Sequence, residues 1–202
     1  MNRRAFLPIA GLAILAAVTS APARQPDSPA SSRVEYRLLA TNKTSTMQKE
    51  MNAAAEAGFR FEAVMGGDTA LGGSEVVAVM SKTIGAPAKA RYEYKLLATN
   101  KTSTMQKELQ EAADAGFEYR DQSVFSSMFG GQEVSIILER DRDQAKPEQY
   151  EYRLLATKKT GTMQKELQEA GDQGFTFVGV TVAPTAFGGH EVVSILRRRV
   201  DL

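Results

Sequence analysis

The chain has 202 residues, 43% hydrophobic and 24% charged, the balance of a folded globular protein. It contains no cysteine, which excludes disulfides, thiol nucleophiles, thiolate metal sites and lipid carried on cysteine. A formal net charge of +1 gives no electrostatic reason to expect nucleic acid or an anionic membrane surface as partner.

Residues 1–23 have the pattern of an export signal. Asn2-Arg3-Arg4 is a basic start, Ala5 to Val18 is apolar, and Ala21-Pro22-Ala23 places small residues where a signal is cleaved. The apolar stretch is too short for a bilayer span and contains Pro8 and Gly11. Arg3-Arg4 followed by Phe6-Leu7 fits a twin-arginine signal, and the general secretory route fits equally. Cleavage after Ala23 removes Arg3 and Arg4, so Lys+Arg falls from 25 to 23 against 24 Asp+Glu and the net charge becomes −1. The expected location is the periplasm or the exterior. Residues 24–33, rich in proline and serine, read as a disordered linker.

From Val34 onward one unit is written three times. Tyr36, Tyr94 and Tyr152 correspond at a spacing of 58 residues, as do Met47, Met105 and Met163, and Gly58, Gly116 and Gly174. The copies run over residues 34–81, 92–139 and 150–197, and each junction carries a short polar linker with one proline. Each copy opens with an alternating segment. In the third, Tyr150, Tyr152, Leu154 and Ala156 point one way and Glu151, Arg153, Leu155 and Thr157 the other, the period of a half-buried strand. After a threonine-rich turn, Met163, Leu167 and Ala170 recur at helical spacing. Thr162 or its predecessor is the expected N-cap, and Gly174 the expected stop. Phe175 to Val182 is aromatic and β-branched, and Glu191 to Leu196 repeats that character, so two strands follow.

The unit is therefore βαββ, and the fold class is α+β with three tandem repeats. A right-handed crossover makes the first two strands parallel, and a third running back between them gives the order 1-3-2. About 48 residues cannot bury a secure core alone. Leu39, Leu97 and Leu155 also stand on the strand face expected to point outward. The copies should thus pack together as one compact body, with the sheets face to face or edge to edge.

Tyr150-Glu151-Tyr152-Arg153-Leu154-Leu155, an amphipathic helix, then Gly174-Phe175-Thr176-Phe177-Val178, resemble the small bacterial βαββ domains of unknown function. Those commonly open with Tyr-Glu-Tyr-Lys and follow the helix with glycine, an aromatic residue and a strand. Their usual tryptophan after the helix glycine is here Phe59, Phe117 or Phe175. The resemblance implies a fold and a bacterial setting, and carries over no activity and no functional residue.

Copies two and three match at 21 of 26 positions from Tyr92/Tyr150 to Phe117/Phe175, and at 9 of 23 thereafter, so the strand–turn–helix half has changed least. In its turn, Lys43, Thr44 and Thr46, with Lys101, Thr102 and Thr104 and with Lys159, Thr160 and Thr162, are the candidate anion-binding residues. Helix-start amides, hydroxyls and a lysine suit an anion or sugar acid. The competing reading is a turn whose threonines satisfy their own backbone. No catalytic, metal or cofactor motif can be assembled, and no cofactor is expected. His190 is matched by Ser74 and Gln132, which excludes a histidine role repeated in every copy. Leu71, Phe129 and Phe187, with Met128, flank Gly-Gly loops and are either core or exposed apolar tips. The sequence points to a non-catalytic exported module that binds a protein, an envelope component or a small anion through repeated sites. An envelope hydrolase using carboxylates such as Glu75, Glu133 and Glu191 is the alternative.

Overall fold

The computed structural model describes residues 33–68, 74–87, 89–99, 101–126, 132–184 and 190–200. The expected export signal, most of the linker, and Leu71, Met128, Phe129 and Phe187 lie outside them. In the first copy β1 (Val34–Thr41) leads to α1 (Thr44–Glu56), β2 (Arg60–Asp68) and β3 (Ser74–Thr83). The second has β4 (Tyr92–Thr99), α2 (Thr102–Asp114), β5 (Glu118–Ser126) and β6 (Gln132–Asp141). The third has β7 (Gln149–Thr157), α3 (Thr160–Asp172), β8 (Thr176–Pro184) and β9 (His190–Val200).

Each copy forms its own three-stranded sheet, ordered β1-β3-β2, β4-β6-β5 and β7-β9-β8, with the last strand central and antiparallel to both neighbours. The first two strands of a copy are thus parallel but not adjacent, as the crossover rule requires. A register shift recurs at the same place in every second strand, between Phe61 and Ala63, Tyr119 and Asp121, and Phe177 and Gly179. One extra residue there bends the strand and sharpens its twist.

The helices end where glycine predicts. Gly116 has φ of 82°, its amide bonds the carbonyl of Ala113 at 2.8 Å, and that of Phe117 bonds Ala112 at 3.0 Å. This double closure needs a left-handed residue, which only glycine adopts without strain. The helices begin earlier than expected. The N-cap positions are Lys43, Lys101 and Lys159, in extended conformation and without a side-chain capping bond, not Thr162 or its predecessor. The hydroxyls of Thr41, Thr99 and Thr157 accept the amides of those lysines at 3.2 Å, closing the turn before the helix starts.

Leu39, Leu97 and Leu155 do not point outward. They pack under the helix of their own copy, Leu97 among Met105, Leu109 and Phe117, and Leu155 beside Phe175 and Leu196. The opposite strand face, carrying Tyr94 and Leu96 in β4 and Tyr152 and Leu154 in β7, meets the helix of the preceding copy. The sheets therefore pack neither directly face to face nor as one continuous sheet. A helix lies between each sheet and the next, and β2 and β5 touch along their margins, where the amide of Val64 donates to Asp121 at 3.3 Å. Residues 32–202 form one compact unit.

Candidate functional site

The most elaborate chemistry in the described residues lies where one copy meets the next. On α1, Gln48 and Asn52 are four residues apart and share a face, separated by about 6 Å of helix rise. Alternate residues of a strand lie about 6.6 Å apart, so two such amides can read alternate backbone groups. They do so on β4. Gln48 Oε1 accepts the amide of Leu96, and Asn52 accepts the amide of Tyr94 while donating to its carbonyl, all at 2.9 Å. The next joint repeats this on β7. Gln106 accepts the amide of Leu154 and donates to the carbonyl of Tyr152, both at 2.8 Å. Gln110 accepts the amide of Tyr152 at 2.9 Å and donates to the carbonyl of Tyr150 at 3.1 Å. Both β4 and β7 are edge strands, so these amides occupy backbone groups that would otherwise be open to another strand.

A tyrosine locks each joint. Tyr94 Oη accepts the amide of Phe61 from the preceding copy and donates to Glu139, each at 2.8 Å. Glu139 is buried and also receives Arg60 at 2.8 Å, whose guanidinium lies 4.4 Å from the centre of the Tyr92 ring. At the second joint Tyr152 Oη accepts the amide of Tyr119 at 2.8 Å, Arg197 pairs with Glu118 at 2.6 Å, and its guanidinium sits 4.5 Å from the Tyr150 ring. Burial, then the nearby Glu139 carboxylate, pushes the Tyr94 hydroxyl far above the ordinary tyrosine range; burial also raises that of Tyr152. The Glu139 bond in turn holds Arg60 above its ordinary value. The two joints use the same positions with opposite charge: Arg60 faces Glu139, but Glu118 faces Arg197. Pairing the wrong copies would put arginine against arginine or glutamate against glutamate. Charge thus helps to fix the order of the copies.

The threonine-rich turns of the first two copies lie at the two joints, and that of the third copy is open. Lys43, Lys101 and Lys159 are exposed at the helix starts. Thr44, Thr46, Thr102 and Thr104 are half-buried, whereas Thr160 and Thr162 are open. Thr41, Lys43 and Thr44 border Leu96 and Ser135 of the second copy. Thr102 donates to Glu191 of the third at 2.8 Å, so one of the carboxylates considered for hydrolysis accepts a bond from the preceding turn. The helix lysines make pairs within their own helices, Lys107 with Glu111 at 3.7 Å and Lys165 with Glu169 at 3.6 Å.

What the three copies do share is a concavity of about 700 Å³, lined by Met65 from β2, Gln122 and Ser123 from β5, and Val180, Thr181, Val182 and His190 from β8 and β9. The Thr181 hydroxyl is buried there without a hydrogen-bond partner. Among the described residues, no group of three His, Asp or Glu is placed to hold a metal ion, and no helix is long and apolar enough to cross a membrane.

Sequence reasoning missed the joint residues Gln48, Asn52, Gln106, Gln110, Tyr94 and Tyr152. The signal was present, because they belong to the strand–turn–helix half that has changed least between copies two and three. No protein-family model, curated protein or solved structure matches the chain.

Proposed function

We propose that the chain is a non-catalytic interaction module, exported by its amino-terminal segment to the bacterial cell envelope, that binds a protein partner. The resemblance to small bacterial βαββ domains supports the setting. The observation that carries the reading is that the repeat array leaves half a joint open at each end. Tyr36 and Leu38 of β1 are 67% and 68% exposed, although Tyr94 and Tyr152, the counterparts of Tyr36, are 1% and 3% exposed and Leu96 and Leu154, those of Leu38, are half-buried. At the other end Phe177, the counterpart of the buried Phe61 and Tyr119, is exposed, and Met163 and Leu167 of α3 are only half-buried. Apolar residues concentrated on two terminal faces are characteristic of a surface that takes a partner. The acidic groups of the joints, Glu139, Glu118 and Glu191, are engaged by Arg60, Arg197 and Thr102, which suits a structural and not a hydrolytic use of them.

The test is retention of an envelope protein on the immobilised full chain, compared with Leu38→Glu. A partner held by the wild type and released by the variant is the expected result. Retention of no protein, further copies of the chain itself included, or hydrolysis of peptidoglycan by the purified chain that Glu191→Gln abolishes, overturns the reading.

A further inference from the structure

The open faces are complementary. The α2 sequence Thr-Ser-Thr-Met-Gln-Lys-Glu-Leu-Gln-Glu-Ala-Ala-Asp recurs in α3 with two changes, Gly161 for Ser103 and Gly171 for Ala113. The receiving strand β7 reads Tyr-Glu-Tyr-Arg-Leu-Leu-Ala-Thr from Tyr150, and β1 is the same with Val34 in place of that tyrosine. Thus α3 and β1 carry almost the residues by which α2 grips β7, yet among the described residues neither is gripped. Gln164 and Gln168, the counterparts of Gln106 and Gln110, are exposed. The register agrees as well: Tyr36 stands opposite Ser81 as Tyr152 stands opposite Arg197, so β1 turns the same backbone groups toward its free edge. The charged pair of the inner joints becomes Thr176 and Ser81, which is neutral and sets up no repulsion.

We propose that the partner of these faces is a second copy of this chain, with α3 of one molecule seated on β1 of the next. This rests on the interaction-module reading and names its occupant. The contact continues the geometry of two joints already present within the chain. It is head-to-tail, so it closes into a ring if the rotation per molecule allows and otherwise extends as a filament.

Sedimentation of the full chain over rising concentration tests it. The wild type should pass from monomer to higher assemblies. Leu38→Glu, which spoils only the strand face, and Gln168→Lys, which spoils only the helix face, should each remain monomeric with circular dichroism like the wild type. Mixed together, they should form a one-to-one dimer and stop there, because each retains the face that the other lacks. Gln168 is the position of choice because it is exposed and its amide donates to Asp172 at 3.0 Å, whereas Leu167 packs against Phe175 and Leu196 of its own copy. Assembly of Leu38→Glu alone, or absence of the mixed dimer, overturns head-to-tail pairing. A wild type that stays monomeric at every concentration overturns the second copy as partner. In that case the interaction-module reading survives if an envelope protein is still lost on Leu38→Glu, and falls with it if none is.

Discussion

Three tyrosines at one repeat position offer an internally controlled experiment. Removing the hydroxyl by Tyr→Phe keeps the ring and its packing, so the loss isolates the hydrogen bonds. At Tyr94 the hydroxyl satisfies the buried amide of Phe61 and donates to the buried carboxylate of Glu139. An orphaned buried amide costs about 1–3 kcal/mol and a bond to a charged group contributes about 1.5–3 kcal/mol. Arg60 remains to hold Glu139, so the lower half of the combined range applies, about 3 kcal/mol. Tyr152 satisfies the amide of Tyr119 and should cost about 2 kcal/mol. Tyr36 is exposed, so its change should stay within about 0.5 kcal/mol. For a fold of this size about 1 kcal/mol moves Tm by about 2–4 °C, so Tyr94→Phe should melt about 6–12 °C below wild type. Calorimetry at low protein concentration, where molecules do not meet, is the assay. Equal shifts for all three variants, or a larger shift for Tyr36→Phe than for Tyr94→Phe, would refute the unequal roles assigned to the copies.

Arg60→Glu should destabilise the fold by setting two acids against each other, and adding Glu139→Arg should recover most of the loss; chemical denaturation of the two variants gives the comparison. Gly116→Ala forces a side chain into φ of 82° with the Pro147 ring 3.1 Å away, so it should cost more than Gly174→Ala, where the nearest atom is at 3.5 Å; thermal melts read the difference. The Arg91 bond holds Asp141 below its usual range, and Arg140 and Arg142 hold Glu93 low against the opposing effect of its burial. Such depressed acids contribute stability that is present above about pH 4 and lost as pH falls through their folded values. Burial raises Tyr94, Tyr119 and Tyr152, so their contribution is present below about pH 10 and lost as pH climbs toward the folded values. Melting across pH should fall on both sides, and Tyr94→Phe should flatten the alkaline limb.

Much of this architecture was legible because repetition averages out the ambiguity of a single segment. Alternation in β7, the stripe of α3 and the stop at Gly174 recur in every copy, so the element order and the 1-3-2 sheets follow from local chemistry and the handedness of crossovers. The assignment of strand faces failed for a physical reason. With apolar residues on both sides, as at Tyr152 and Leu155, period two cannot say which side faces the home helix and which the preceding one. The N-cap failed because a hydroxyl two residues upstream, as in Thr157, closed the turn first. The joint stayed hidden because glutamine on a helix reads as solvated surface until a foreign edge strand is laid against it. Internal comparison did mark the segment holding Gln106 and Gln110 as the least changed. What it could not supply was the strand they grip, which lies 40 residues or more away in the chain.

The copies depend on one another: the sheet face bearing Tyr94, Leu96 and Ile137 is apolar and packs against the first copy, its α1 helix and Phe61 of β2 included. Unfolding the second copy expressed alone, residues 92–141, probes this most directly. Deprived of α1 above and the third sheet below, it should lose its far-ultraviolet signal gradually on heating, with no cooperative transition. A sharp, reversible melt of that fragment as a monomer would contradict the account.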